Sequence, residues 1–77
     1  MTIKHYKASV TTPGGVEVWS TDDLINARSI DAAVECAKFM TNHLDWWMAI
    51  PHDRWEDMAR YTSRSSENVL EVKEFHF

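Results

Sequence analysis

The four histidines and the single cysteine are the residues of this 77-residue chain most able to bind a metal ion. His43 and His52 are nine residues apart, and no two histidines have the i, i+4 spacing that brings ligands together on one helix face. Cys36 has no second thiol with which to share a metal. We therefore expect no metal site and no cofactor.

Cys36 and His43 also make a poor catalytic pair. Seven residues along a helix correspond to about 10 Å of axial rise, which is too far for a base to activate a nucleophile. Gly14 and Gly15 belong to a turn signal and lack the strand–loop–helix context of a phosphate-binding loop. The sequence therefore predicts a protein that is not an enzyme.

Acidic side chains dominate the charge of the chain, whose formal net charge is −4. Lysine and arginine are scattered and form no basic stripe, which argues against direct binding to nucleic acid. A negative surface suits a basic surface on another protein, although the same charge could serve only to keep a small protein soluble. The carboxylates that could form such a contact surface are Asp22, Asp23, Asp45, Asp53, Glu56 and Asp57.

Aromatic side chains form a second stripe on the long helix that the periodicity predicts. Phe39, His43 and Trp46 recur at helical spacing, roughly opposite the main apolar stripe. Ala32 and Cys36 belong to the same second stripe. One interpretation is that residues 53–62 fold back and cover them. The other is that an exposed aromatic residue anchors a partner, as aromatic residues often do at interfaces. The predicted partner-binding residues are Asp22, Asp23, Asp45, Trp46, Glu56 and Asp57.

The first part of the chain has the alternating pattern of a β-hairpin. Residues 3–12 alternate between apolar and polar, and the alternation resumes over 16–20. Pro13-Gly14-Gly15 between them is a turn signal. Residues 24–27 either continue the second strand or form a short third strand. The apolar face of the first strand would carry Tyr6, Ala8 and Val10.

The middle of the chain has helical periodicity from Ser29 to Met48. Ser29 is a suitable N-cap, and Asp31 in the first turn is favoured by the helix dipole. Pro51 is expected to end the helix or to follow its end. The main apolar stripe would contain Ile30, Ala33, Val34, Ala37, Met40, Leu44, Trp47 and Met48.

Residues 53–62 are the most ambiguous stretch. Asp53 and Glu56 resemble a capping box, which favours a second short helix, with a strand as the alternative. Residues 69–77 alternate again and predict a final strand. The expected order is ββ-α-(α)-β. This is an α+β domain with an antiparallel sheet of about three strands, one long helix packed on one face and a short second helix.

The length of the chain predicts a single domain spanning residues 1–77. Because Cys36 is the only cysteine, no internal disulfide can form, which fits a reducing cytoplasm. No apolar run approaches the ~18 residues of a transmembrane helix, so no membrane association is expected.

In general build, the chain resembles the small accessory proteins of bacteriophages and mobile elements, including anti-CRISPR inhibitors. The features that carry the resemblance are the short chain from Met1, the hairpin around Pro13-Gly14-Gly15, the helix over 29–48 and the acidic bias. The resemblance implies stoichiometric inhibition of a host complex through a basic nucleic-acid-binding or subunit surface. It assigns no role to any residue.

Three functional hypotheses follow. The first is a non-catalytic inhibitor of a host nucleic-acid-handling complex, such as a CRISPR effector, that binds through an acidic surface with an aromatic anchor. The alternative is a small self-associating structural or adaptor module of phage or prophage origin, with Phe39 and Trp46 buried in a homodimer or an edge strand paired with its copy. The third, a small enzyme or ligand-binding protein, would need a pocket lined by Trp19, Trp55 and a histidine. Both a monomer and a homodimer remain open.

Overall fold

The computed structural model describes residues 2–41, 46 and 48–76, which form six strands and one helix. In chain order the elements are β1 (Lys4–Thr11), β2 (Glu17–Ser20), β3 (Ile25–Ala27), α1 (Ile30–Met40), β4 (Ile50–Arg54), β5 (Met58–Thr62) and β6 (Val69–Glu74). The strands form one sheet in the order β2-β1-β6-β5-β4, in which every pair is antiparallel. β3 pairs with the half of β1 that β2 leaves free.

The N-terminal hairpin confirms the alternation in the sequence. Tyr6, Ala8 and Val10 are buried along β1, while β2 returns beside Ser9–Thr11. Gly15 has a φ of +88°, a backbone conformation that glycine adopts at little steric cost. The backbone N–H of Thr12 donates to the Val16 carbonyl at 2.8 Å and closes the turn. The short third strand, one of the two expectations for 24–27, is present as β3.

The predicted sheet of about three strands with one long helix is wrong. The stretch 53–62, expected to be helical, contributes the end of β4 and all of β5. β5 forms regular antiparallel pairs with β6 along its whole length, and its alternation places Ala59 in the core. Pairing on both sides therefore outweighs the weak strand propensity of Met58 and Ala59. The result is a sheet-dominated fold.

The helix α1 begins where the sequence predicts and ends earlier. The Ser29 side chain accepts a hydrogen bond from the Ala32 N–H at 3.3 Å, which confirms the N-cap. The helix ends at Met40, and Thr41, with ψ of −92°, leaves the helical conformation. Pro51, expected to terminate the helix, lies instead in the edge strand β4, a position that tolerates proline.

The core lies between α1 and one face of the sheet. Ile30, Ala33, Val34 and Ala37 form the buried stripe of the helix, as the periodicity predicts. They meet the face of the sheet that carries Tyr6, Ala8, Val10, Ala59, Leu70 and Val72. No described helix covers the opposite face. Within the described ranges, no helix has the length and apolar character needed to cross a bilayer.

Candidate protein-binding surface

The acidic residues predicted to bind a partner lie in two separate places. Asp22 and Asp23 are exposed in the bend between β2 and β3. Glu56 and Asp57 are exposed in the turn between β4 and β5. Asp45 lies outside the described residues. The structure therefore brings the predicted acids together only as two pairs.

These two acidic pairs lie at opposite edges of the sheet. The β2–β3 bend borders β1, whereas the β4–β5 turn lies beyond β6 on the other side. With strands about 4.8 Å apart, the two pairs are separated by roughly 15–19 Å across the sheet. A partner would need a wide basic surface to contact both, so the two pairs are best treated as separate candidate contacts.

Trp46 was expected to be an exposed aromatic anchor, and this expectation is wrong. Its exposed fraction is 4%, and it belongs to the hydrophobic core. The expectation assumed one continuous helix, in which each residue advances the helix phase by 100°. Because α1 ends at Met40, that phase does not extend to Trp46. Trp46 is therefore a core residue and not a contact residue.

The other described residues of the second helix stripe are exposed, unlike Trp46. Ala32 and Cys36 are exposed on α1, and Phe39 is 76% exposed. The interpretation that residues 53–62 fold back over this stripe is wrong, because those residues belong to β4, β5 and the turn between them. His43 lies outside the described residues.

Trp55 is an exposed tryptophan that is followed in the chain by two acidic residues. It lies in the β4–β5 turn beside Glu56 and is 62% exposed. Its backbone N–H donates to the Met58 carbonyl at 2.7 Å, and the Asp57 carbonyl accepts from the Glu74 N–H at 2.7 Å. The backbone of the turn is thus fixed at both ends while the indole faces solvent.

An ion pair ties the base of this turn to the helix. The Arg54 guanidinium donates to the Asp31 carboxylate in the first turn of α1. Beside it, Ile30, Arg54, Trp55 and Glu56 line an open groove with a volume of about 410 Å³. We call Trp55, Glu56, Asp57 and this groove the β4–β5 turn surface. Glu56 and Asp57 form no ion pair with a described residue, so their charges are available to a partner.

Trp55 was not among the predicted contact residues because residues 53–62 were expected to be helical. On a helix, Trp55 and Met58 share a face, and both would pack inward. A signal for the hairpin was present in the chain: apolar Ala59 and Tyr61 alternate with polar Arg60 and Thr62. A strand there requires a turn before it, and that turn contains the exposed indole.

Two side chains of the sheet have shifted pKa values, Arg60 through its carboxylate partners and Tyr6 through burial. Hydrogen bonding to Glu71 and its charge, with a smaller contribution from Asp53, raise the pKa of Arg60. Burial, and secondarily the charge of Glu74, raises the pKa of Tyr6. Among the described residues, no group of three or more histidine, cysteine, aspartate or glutamate side chains could hold a metal ion.

The β4–β5 turn surface can therefore offer a partner one large aromatic side chain and two carboxylates from a fixed backbone. Tryptophan buries much area at little entropic cost, and carboxylates add charge complementarity to a basic partner. The two carboxylates would be complementary to a positively charged surface on the partner. Comparisons with protein-family models, with curated proteins and with solved structures find no match for this chain.

Proposed function

We propose that this chain is a non-catalytic protein-binding domain that docks on a basic surface through the β4–β5 turn surface. The observation that carries the proposal is the exposed indole of Trp55, held beside Glu56 and Asp57 by a hydrogen-bonded turn. Tryptophan is among the residue types enriched at the energetic centres of interfaces. In this proposal the aromatic anchor is Trp55, and not Trp46 as expected from the sequence.

The partner class in this proposal is a protein complex that handles nucleic acid, such as a CRISPR effector. Such complexes hold phosphates with clustered lysine and arginine, and these cations are complementary to a chain with net charge −4. Occupying that surface would inhibit the complex without any chemistry. The general resemblance to small inhibitors of phages and mobile elements is in keeping with this mode of action.

Charge reversal in the turn tests the proposal. Wild-type protein immobilised on resin would be incubated with lysate of a host strain, and the retained proteins quantified by mass spectrometry. Glu56→Lys combined with Asp57→Lys should abolish retention of the partner, because two attractions become repulsions. The matched control is Asp22→Lys combined with Asp23→Lys, which changes the net charge equally at the other edge of the sheet.

The two variants separate local contact from overall charge. Retention by the Asp22/Asp23 variant and loss by the Glu56/Asp57 variant support the proposal. Equal loss from both variants would mean that overall charge, and not this turn, governs binding. Equal retention by both would show that acids do not drive the interaction.

Self-association is a second candidate function, favoured by apolar exposure at the C-terminal end of α1. Phe39 and Met40 are both exposed there. Exposed apolar groups of this kind are common at protein contacts. Light scattering at increasing concentration would detect a dimer, and Phe39→Ser should weaken it. A mass that stays at 9.0 kDa at every concentration would exclude this candidate.

A further inference from the structure

The open face of the sheet contains an unusual pair of like charges. Lys7 on β1 and Lys73 on β6 are direct partners in the antiparallel register, and both are exposed. Like charges directly opposite each other destabilise a sheet. Acidic residues outnumber lysine and arginine in this chain, yet two lysines face each other here. This arrangement requires a physical explanation.

A neighbouring row of the same face shows how the charges of this sheet are usually balanced. Arg60 on β5 lies between two carboxylates: its Nε donates to Glu71 at 2.8 Å and its Nη1 to Asp53 at 3.1 Å. By contrast, neither Lys7 nor Lys73 forms an ion pair with a described residue. Arg60 is thus paired with carboxylates, whereas Lys7 and Lys73 are not.

The neighbours of the lysine pair do not neutralise it. On β5, the register partner of Lys73 is Met58, which carries no charge. The Nζ of Lys7 lies 4.7 Å from the centroid of the Phe75 ring, a cation–π contact that stabilises an ammonium group without cancelling its charge. Neither of these neighbours therefore places a negative charge against the two ammonium groups.

A groove of about 310 Å³ opens beside the two lysines. Ser9 and Ser20, which are register partners on β1 and β2, also line it. Among the described residues, neither serine hydroxyl makes a side-chain hydrogen bond. The groove thus combines two ammonium groups with two hydroxyls that are available as donors.

Two carboxylates border the same groove, and only one is free. Glu71 is already engaged by Arg60. Glu17 is exposed at the rim and forms no ion pair within the described part of the chain. Arg60 is shared between Glu71 and Asp53, so the charges around the groove balance overall. The preference for an anion therefore rests on the adjacent pair Lys7 and Lys73, whose mutual repulsion an anion would relieve.

We propose that this groove binds a phosphate group, with Lys7 and Lys73 supplying charge and Ser9 and Ser20 supplying hydrogen bonds. Phosphate carries up to two negative charges near neutral pH and has several acceptor oxygens, which matches this set of donors. Inorganic phosphate and a phosphate monoester on a small molecule share this chemistry. The site is independent of the β4–β5 turn surface.

The test is a titration of the ¹⁵N-labelled full chain with inorganic phosphate at constant ionic strength, followed by amide chemical shifts. Saturable shifts are expected at Ser9, Ser20 and Lys73, and matched chloride should not produce them. Lys73→Gln should raise the phosphate dissociation constant about tenfold, as expected for the loss of one charged hydrogen bond. Lys38→Gln removes the same charge from the helix and should leave the constant unchanged.

A second titration with O-phosphoserine, with serine as control, distinguishes the two sources of phosphate. Tighter binding of O-phosphoserine assigns the site to monoesters, and equal binding assigns it to the phosphate group alone. Equal weakening by Lys73→Gln and Lys38→Gln would overturn the proposal, as would shifts that are linear in phosphate or are reproduced by chloride. Lys7→Gln provides an independent second variant, and the spectrum of each variant reports whether it is folded.

Discussion

Trp46 and Trp55 are nine residues apart and have opposite environments. Trp46 belongs to the hydrophobic core, whereas Trp55 extends from a hairpin turn whose backbone is fixed by hydrogen bonds. The difference arises from tertiary pairing, because residue type and local propensity are the same for both. An aromatic residue can therefore be assigned to the core or to a contact only after the strand pairing around it is known.

The largest expected effect is on the buried side of this comparison. Trp46→Ala should destabilise the fold by about 3–5 kcal/mol, because it removes a large buried side chain and leaves a cavity. The free energy of unfolding from urea denaturation measures this loss. A change below about 1 kcal/mol would mean that Trp46 is not a core residue.

The second effect concerns Tyr6, another buried aromatic residue, and appears only at high pH. The pKa of Tyr6 is raised above 10.0 by burial and by Glu74, so the folded protein keeps the hydroxyl proton after the unfolded chain has lost it. The contribution of Tyr6 to stability is fully present below pH 10.0 and is lost as the pH rises through the folded-state pKa. The free energy of unfolding falls there by at most about 1.4 kcal/mol per pH unit.

Tyr6→Phe should remove this component of the alkaline loss. Urea midpoints of the wild type and the variant would be compared between about pH 8 and about pH 11, because other groups titrate in both proteins and cancel in the difference. If the two proteins lose stability in parallel above pH 10.0, the burial of the Tyr6 hydroxyl is incorrect.

The third effect concerns the helix terminus next to the Trp55 turn. Ser29→Ala should cost about 1 kcal/mol, because the Ala32 N–H loses its side-chain acceptor. Thermal or urea unfolding measures this loss. Ser20→Ala is the control and should change stability little, since the Ser20 hydroxyl makes no side-chain hydrogen bond within the described residues. Equal effects of the two substitutions would refute the cap.

The smallest expected effect is at the exposed side of the comparison. The pair Arg54–Asp31 lies at the surface, so a double-mutant cycle with Arg54→Gln and Asp31→Asn should give a coupling of about 0.5 kcal/mol or less. Trp55→Ala should likewise change the unfolding free energy by no more than about 0.5 kcal/mol. A coupling above about 2 kcal/mol would indicate that this turn is part of the stabilising core.

Several elements could be predicted from the sequence because their patterns are local. The hairpin alternation, the glycine turn, the Ser29 cap and the buried stripe from Ile30 to Ala37 each depend on residues close in the chain. The final strand was expected for the same reason, and β6 occupies Val69–Glu74. Such features agree with local propensity and do not require knowledge of the tertiary partner.

The second half of the chain could not be predicted in this way. The periodicity of 29–48 extends past the point at which Thr41 leaves the helix, so it gave no sign of that end. The pair Asp53 and Glu56 imitated a capping box, yet Asp53 accepts from Arg60 across the strand pair β4–β5. β5 is specified by pairing with both neighbours, and sequence-local rules do not include that contribution.

The residues of the candidate site also differ in whether local sequence could predict their exposure. Glu56 and Asp57 were chosen from charge alone, and both are exposed, as acidic side chains usually are. Trp46 was chosen by extending the helical phase, and this extension failed once the helix ended at Met40. The sequence led to the hypothesis of an aromatic anchor, and only the strand pairing shows that Trp55 is an exposed indole.

Partner retention by Trp55→Ala, compared with Phe39→Ala, decides whether the β4–β5 turn surface is the contact. Both residues are exposed aromatics, at 62% and 76%, so the two truncations are matched in type. If the β4–β5 turn surface is the contact, Trp55→Ala should weaken binding of the captured partner more than about tenfold, while Phe39→Ala leaves it unchanged. Loss of binding with Phe39→Ala and normal binding with Trp55→Ala would show that the contact is not the β4–β5 turn surface.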